Sequence, residues 1–243
     1  MEREISGIIV SELTYSESSK IIKIITEDGI ISCIAKGARG LKSELRATST
    51  KLTYAKFNII YKKDKLSTLI SMDVINIFKK IKKDIDKISY ASFMVELATQ
   101  VIMQNQDKEI INILISSIIK LDEGFDHVVI TNILELKFLD YLGVMPVVDC
   151  CAICGSKSSI STLAALSGGY VCKNCITNEK IVNEKTIKLI RMFYYVDISK
   201  IDKLEISSNI KKEINEFLDN YYEKYTGLYL KSKTFLNNLN KIK

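Results

Sequence analysis

Five of the six cysteines in this 243-residue chain fall between positions 150 and 175, and four of them form two Cys-x-x-Cys pairs. The pairs are Cys151 with Cys154 and Cys172 with Cys175, separated by 17 residues. Two such turns side by side can place four thiolates tetrahedrally around one zinc ion. Because protein then fills all four positions, the spacing predicts one structural zinc ion per chain and not a catalytic one. Cys150 leaves the register of the first pair open, although Cys151 is the residue with the two-residue spacing to Cys154.

The same cysteines could instead form disulfides, a redox dithiol or unliganded thiols. Disulfides are rare in a reducing cytosol, and residues 1–4, followed by a broken apolar run, do not resemble a signal peptide. A redox Cys-x-x-Cys pair usually begins a helix in a βαβ unit, and the sequence pattern does not predict that unit. We therefore expect a cytoplasmic protein in which these cysteines bind zinc.

The positive charge of the chain is concentrated in one part of the sequence. The net charge is only +6, but residues 36–65 contain nine Lys or Arg and two acidic residues, so that segment carries +7 and the rest about −1. A local positive field of this kind favours a polyanion such as nucleic acid. A solvated, lysine-rich loop and hairpin is the alternative. No apolar run reaches the roughly 18 residues that a membrane span needs.

Residues 4–77 have the alternating, β-branched pattern of strands. Five strands in so short a stretch, with little room for a helix, predict a small closed barrel of the oligonucleotide-binding (OB) type, with an SH3-like barrel as the alternative. The predicted strands span residues 5–10, 20–26, 29–35, 53–61 and 66–77. A basic, glycine-bearing loop at residues 36–43 follows the third strand.

The apolar period becomes helical from residue 84, after the lysine-rich link at residues 79–84. Gly143 is predicted as a C-cap, and Pro146 then prevents the helix from continuing into the cysteines. Ser208 is predicted to cap a later helix. The first predicted helix begins at residue 84. Later helices are predicted at residues 109–121, 126–142, 184–195 and 210–225, and a last apolar segment lies at residues 229–239.

Together these patterns predict an α+β fold. Its expected parts are an OB-type nucleic-acid-binding domain at residues 1–80 and an α-helical domain at residues 81–243, with a four-cysteine zinc-binding module inserted at residues 148–178. The module has too little apolar mass to fold alone, so we expect zinc to stabilise it.

The sequence contains no pattern that indicates an enzyme. His127, the single histidine, lies in the first turn of a predicted helix with no nucleophile motif near it. The phosphate-binding Gly-x-x-x-x-Gly-Lys-Ser/Thr loop is missing, and residues 36–40 are too short and too basic for a dinucleotide fingerprint. We therefore expect a binding protein without catalysis.

Three stretches resemble the bacterial recombination mediator family RecO. They are KGARGLKSELR (residues 36–46), LGVMPVVDCCAICG (residues 142–155) and SGGYVCKNC (residues 167–175). The predicted order of barrel, helices, zinc insertion and helices extends this resemblance over the whole chain. Cys150 is a departure, since that family usually has another residue before the first ligand.

The resemblance implies a nucleoid-associated DNA repair protein that binds single- and double-stranded DNA and helps to anneal complementary strands. With the partner RecR, such proteins load the RecA recombinase onto DNA coated with single-stranded DNA-binding protein, often by contacting the C-terminal tail of that protein. Some members lack the cysteines, which implies that the metal serves the architecture.

Cations of the basic segment are the predicted phosphate contacts. They are Lys36, Arg39, Lys42, Arg46 and Lys51. Strand alternation places Phe57, Ile59 and Tyr61 on one face, which favours the barrel core, and Tyr54 on the opposite face, where it could stack on a base. The alternative is a zinc-ribbon adaptor that binds only protein, with incidental positive charge.

Overall fold

A computed structural model describes the backbone of residues 1–242 and the side chains of residues 1–236. The chain forms two compact units, one of Met1–Asp122 with Ser232–Lys243 and the other of Glu123–Lys231. No helix in the described part of the chain is both long and apolar enough to cross a membrane.

The first unit begins with the five predicted strands. They are β1 (Glu2–Thr14), β2 (Lys20–Thr26), β3 (Gly29–Ala35), β4 (Tyr54–Ile60) and β5 (Ser67–Asn76). β1 extends beyond the predicted residues 5–10 because its two ends pair with different neighbours, residues 2–8 with β4 and residues 7–14 with β2. Each end of β1 is therefore hydrogen-bonded to a neighbouring strand even where its side chains are polar.

The strands pair in the order β1-β2-β3-β5-β4, and β4 returns to β1 to close the barrel. All of these pairings are antiparallel except that of β3 with β5. The predicted α+β fold, with an N-terminal five-stranded sheet followed by helices, is confirmed.

The interior of the barrel holds the side chains that alternation assigned to it. Phe57 and Ile59 on β4 are fully buried, and Tyr61 packs against the same cluster. Cys33 lies in this core, and burial raises the pKa of its thiol to about 12. Cys33 is therefore an apolar packing group at neutral pH.

Strand direction divides the loops of the barrel between its two ends. β1, β3 and β5 run one way, and β2 and β4 run the other. The β1–β2 turn at residues 15–19 therefore lies at the same end as residues 36–53, which join β3 to β4. The β4–β5 turn at residues 61–66 lies at the opposite end. This geometry separates cations that are close together in the sequence.

The helices agree with the predicted ones to within a few residues, with three corrections. The helices are α1 (Leu45–Thr48), α2 (Ile85–Gln104), α3 (Glu109–Glu123), α4 (His127–Tyr141), α5 (Glu184–Tyr195), α6 (Ser208–Tyr225) and α7 (Lys231–Ile242). The single turn α1 is too short to produce a periodic apolar pattern, and it was not predicted. The N-cap of α6 is Ser207, not Ser208, because Ser207 keeps an extended ψ of 151°. Gly143, with φ +71°, follows the C-cap Leu142 by one residue.

In the second unit, α4 is buried on nearly all sides. The hydroxyl of Tyr222 on α6 donates to the carbonyl of Glu135 on α4 at 2.8 Å. Between α4 and α5 lies a two-stranded antiparallel sheet of β6 (Ile160–Ala164) and β7 (Gly169–Cys172). This hairpin carries the second cysteine pair, so its position sets the geometry of the predicted metal site.

Candidate metal centre and nucleic-acid interface

The first cysteine pair lies in a tight turn. The N–H of Cys151 donates to the carbonyl of Ser156 at 2.7 Å, and the N–H of Gly155 donates to the carbonyl of Cys151 at 2.8 Å. Gly155 has φ +75°, a conformation that glycine adopts without strain. The second pair begins at the last residue of β7, where the N–H of Cys175 donates to the carbonyl of Cys172 at 2.9 Å. Each turn points two sulfur atoms to the same side.

The fold brings the four predicted ligands together. The sulfur atoms of Cys151, Cys154, Cys172 and Cys175 all lie within 4.8 Å of one another. The Cys154 and Cys172 sulfur atoms are 3.7 Å apart, and a tetrahedral zinc site with bonds of about 2.3 Å needs sulfur atoms about 3.8 Å apart. These four side chains could hold one metal ion. Cys150 lies outside the cluster that the described residues form, so the register that uses Cys151 is the one assembled.

The thiols of this cluster do not titrate independently. Burial alone would raise the pKa of Cys151, but N–H groups of Cys172, Cys154 and Ile153 that donate to its sulfur lower the pKa to about 6. Hydrogen bonding with the sulfur atoms of Cys154 and Cys172 raises the pKa of Cys175 to about 12, and the nearby Cys151 contributes. Four thiolates at this spacing repel one another, so full ionisation requires a cation among them.

A polar network attaches the first cysteine turn to α5. The carboxylate of Asp149 accepts from Nε of Arg191 at 2.7 Å and from the hydroxyl of Tyr195 at 2.7 Å. These two hydrogen bonds, that of Tyr195 first, hold the pKa of Asp149 below its ordinary value. The hydroxyl of Tyr170 on β7 donates to the carbonyl of Ile187, also on α5. Both cysteine turns are therefore anchored to one helix.

The two cysteine-bearing segments come into backbone contact at Gly169. Val147 forms a β-bridge with Gly169, and the N–H of Tyr170 donates to the carbonyl of Val147 at 2.8 Å. A Cβ atom at position 169 would lie 2.2 Å from the carbonyl oxygen of Val147, and φ there is +146°. Backbone atoms cannot move aside as a flexible side chain can, so only glycine fits.

We expect Gly169→Ala to lower the free energy of unfolding by about 3 kcal/mol or more, since it adds a backbone clash to the strain of an unusual φ. Urea unfolding followed by circular dichroism measures this change. Gly155→Ala is the matched control, because its Cβ would meet no atom within 4 Å and only the strain of a positive φ, about 1–2 kcal/mol, remains. Equal losses in the two variants would contradict the close-approach explanation.

The predicted DNA-binding cations lie at one end of the barrel in the first unit. Lys36, Arg39, Lys42 and Arg46 are exposed, in the loop after β3 and on α1. The segment is held in place by Arg39, whose N–H donates to the carbonyl of Ser18 at 2.9 Å and whose guanidinium donates to the carbonyl of Ser16 at 2.6 Å. The basic loop is therefore attached to the β1–β2 turn.

Lys51 and Tyr54 are less accessible than the other predicted contacts. Both are half-buried. Burial lowers the pKa of Lys51, and the carboxylate of Glu96 opposes that shift. Tyr54 lies on the outer face of β4 as predicted, opposite Ile8 on one side and Asn76 on the other.

Two lysines of this barrel end were missed by sequence reasoning. The Nζ of Lys20 lies 2.7 Å from a carboxylate oxygen of Glu12, whose other oxygen accepts from the N–H of Lys51. The Nζ of Lys82 donates to the hydroxyl of Thr50 at 3.1 Å, and burial lowers its pKa while Glu12 opposes the shift. For Lys82 the available signal was the lysine run at residues 79–84, which was interpreted as a link.

The remaining cations of residues 36–65 lie elsewhere. Lys62, Lys63 and Lys65 belong to the β4–β5 turn at the opposite end, and Lys56 lies 3.7 Å from Glu4 on the neighbouring strand. The segment that carries +7 in the sequence is therefore not one continuous patch.

Two protein-family models match this chain, one in its N-terminal part and one in its C-terminal part. The family model described as recombination protein O N terminal matches residues 1–78, and the one described as recombination protein O C terminal matches residues 82–234. The chain belongs to the RecO family.

Proteins named DNA repair protein RecO are similar over nearly the whole chain. The protein from Listeria innocua is 32% identical over 240 residues, covering 97% of this chain and 94% of its own length. The protein from Bacillus pumilus is 32% identical over 242 residues, with 98% and 94% covered. The protein from Bacillus cereus is 32% identical over 249 residues, with 99% of each covered. This chain is therefore a member of a DNA repair and recombination family.

Proposed function

We propose that this protein is a non-enzymatic recombination mediator that binds single- and double-stranded DNA and promotes annealing of complementary strands. The observation that carries the proposal is the set of exposed cations at one end of the barrel, Lys36, Arg39, Lys42 and Arg46. Residues 1–80 act as the nucleic-acid-binding domain and residues 81–243 as the helical domain. Its site of action is the nucleoid in the bacterial cytoplasm, where a DNA repair protein meets its substrate.

The proposed mechanism is electrostatic. Cations on the barrel neutralise phosphates and release the counterions condensed on them, which makes binding favourable and dependent on salt. Pairing of two complementary strands is already downhill, so annealing needs no chemical fuel. A protein that screens the repulsion between two phosphate backbones lowers the barrier to their encounter.

RecR, RecA and single-stranded DNA-binding protein are the proposed partners. In this proposal the protein acts with RecR to load RecA onto DNA coated with single-stranded DNA-binding protein, and it contacts the C-terminal tail of the coating protein. Support for these partners comes from the family resemblance, and not from a particular surface of this chain.

We further propose that the metal held by the four cysteines is Zn²⁺, one per chain, with a structural role. Support comes from the all-thiolate donor set and the sulfur spacing, which suit a tetrahedral zinc site. Cys151, Cys154, Cys172 and Cys175 supply all four ligands, so no position is left for substrate. When bound, the ion would supply the positive charge that four adjacent thiolates require.

A titration of labelled single-stranded DNA at several salt concentrations tests the DNA-binding proposal. Four to five phosphate contacts, depending on whether half-buried Lys51 takes part, predict a slope of log K against log salt of about −2.8 to −3.5. Fluorescence anisotropy measures it, and zinc analysis of the same preparation gives the metal content. A zinc-ribbon adaptor that binds only protein would show no such affinity, and that result would refute the proposal.

A further inference from the structure

An exposed aromatic side chain lies in the β1–β2 turn. Tyr15 is 58% exposed. Its turn is closed by short-range hydrogen bonds, because the N–H groups of Tyr15 and Ser16 both donate to the carbonyl of Ser19, at 3.1 and 3.4 Å. The N–H of Ser19 in return donates to the hydroxyl of Ser16 at 3.2 Å. The backbone that carries the ring is therefore ordered while the ring itself faces solvent.

The basic loop is attached to this same turn. Arg39 makes two hydrogen bonds to it, from its N–H to Ser18 and from its guanidinium to Ser16, the residue next to Tyr15. Two apolar side chains at the same end of the barrel are also exposed, Leu13 near the end of β1 at 59% and Leu41 of the basic loop at 86%. Exposed aromatic, apolar and cationic side chains thus share one end of the barrel, the combination by which proteins hold single-stranded nucleic acid.

The other tyrosines of the barrel are less suited to stack on a base. Tyr54 is half-buried on β4. The ring of Tyr61 already has the guanidinium of Arg3 over its face, 4.4 Å from the centroid. Tyr15 combines an exposed ring, a fixed backbone and an adjacent arginine. In barrels of the OB type, the loop between the first two strands is also one of those that meet oligonucleotides.

We propose that Tyr15 stacks on an unpaired base of bound DNA and thereby gives the site its preference for single strands. The phosphates of the same strand contact Arg39 and its neighbours. Bases of a duplex are stacked on one another and cannot offer a face to the ring, whereas every base of a single strand can. This inference rests on the proposed DNA binding and specifies its strand selectivity.

The test compares the wild-type chain with Tyr15→Leu and Tyr15→Phe, using a labelled thymidine oligonucleotide of about 20 nucleotides and a duplex of equal length. Tyr15→Leu keeps apolar bulk but removes the π face, and Tyr15→Phe keeps the ring. We expect Tyr15→Leu to weaken single-strand binding about tenfold and to change duplex binding less than twofold, with Tyr15→Phe close to wild type. An abasic oligonucleotide should bind the wild-type and Tyr15→Leu chains equally.

The outcomes separate this inference from the DNA-binding proposal. Tyr15→Leu could lose the same affinity for single strands as for duplex, or for thymidine as for abasic oligonucleotides. Either result would mean that Tyr15 acts through the fold or through general adhesion, and would overturn the stacking role. Unchanged binding by Tyr15→Leu would overturn it too, and a loss in Tyr54→Leu instead would move the stacking role to Tyr54. If the wild-type chain bound neither DNA, the proposed function itself would fail.

Discussion

Replacing Cys172 with serine is expected to reduce the metal content from one ion per chain to nearly none and to unfold the segment at residues 148–178. The apolar cluster around the cysteines is small, with Ala164 and Val171 as its buried members beside Cys151 and Cys172. Zinc binding contributes roughly 10–16 kcal/mol to the folding of small finger domains, far more than so few apolar side chains can supply. Inductively coupled plasma analysis measures the metal, and limited proteolysis detects the unfolded segment.

Cys150→Ser is the matched control, because it removes a neighbouring thiol that lies outside the four-sulfur cluster. We expect this variant to keep its zinc and its resistance to protease. Loss of metal in Cys150→Ser with retention in Cys151→Ser would show that the first pair uses the other register. A metal-free wild-type chain of undiminished stability would refute the structural role of zinc.

A triple variant in which glutamate replaces Lys36, Lys42 and Arg46 is expected to bind single-stranded DNA at least about tenfold more weakly. Its slope of log K against log salt should be shallower by about 2. Each contact with a single strand contributes about −0.7 to the slope, and three are removed. These three side chains are exposed. Arg39 is left unchanged because its guanidinium also holds the loop to Ser16, so that its replacement would disturb the loop as well as the charge. Anisotropy over a range of salt concentrations measures both quantities.

The control reverses Lys62, Lys63 and Lys65 at the opposite end of the barrel. Each triple variant changes the net charge from +6 to zero, so long-range attraction to DNA falls equally in both. We expect the control to lose less than about threefold in affinity. Equal losses would mean that net charge, and not a site at one end, governs binding, and would contradict the assigned interface.

Much of the fold could be predicted because its determinants are local. Alternation along β4 placed Phe57 and Ile59 inside the barrel, where both are fully buried. The helical period from residue 84 and the stop at Gly143 and Pro146 located the helices that precede the cysteines. Such patterns reflect which side chains leave water, and that choice repeats with the period of each element. The boundaries varied by a few residues, and the single turn α1 gave no periodic signal.

The cysteine spacing by itself located two turns whose thiols could share a metal, because the geometry of a Cys-x-x-Cys turn is set within four residues. Spacing only favoured Cys151 over Cys150, and it is the fold that places the sulfur atom of Cys151 in the four-sulfur cluster. The positive charge of residues 36–65 was visible in the sequence, but the direction of each strand decided that its cations lie at opposite ends of the barrel. The attachment of Arg39 to the turn of Tyr15 likewise joins residues more than twenty positions apart. Contacts of this kind depend on how strands pair across the whole barrel, and no local period records that pairing.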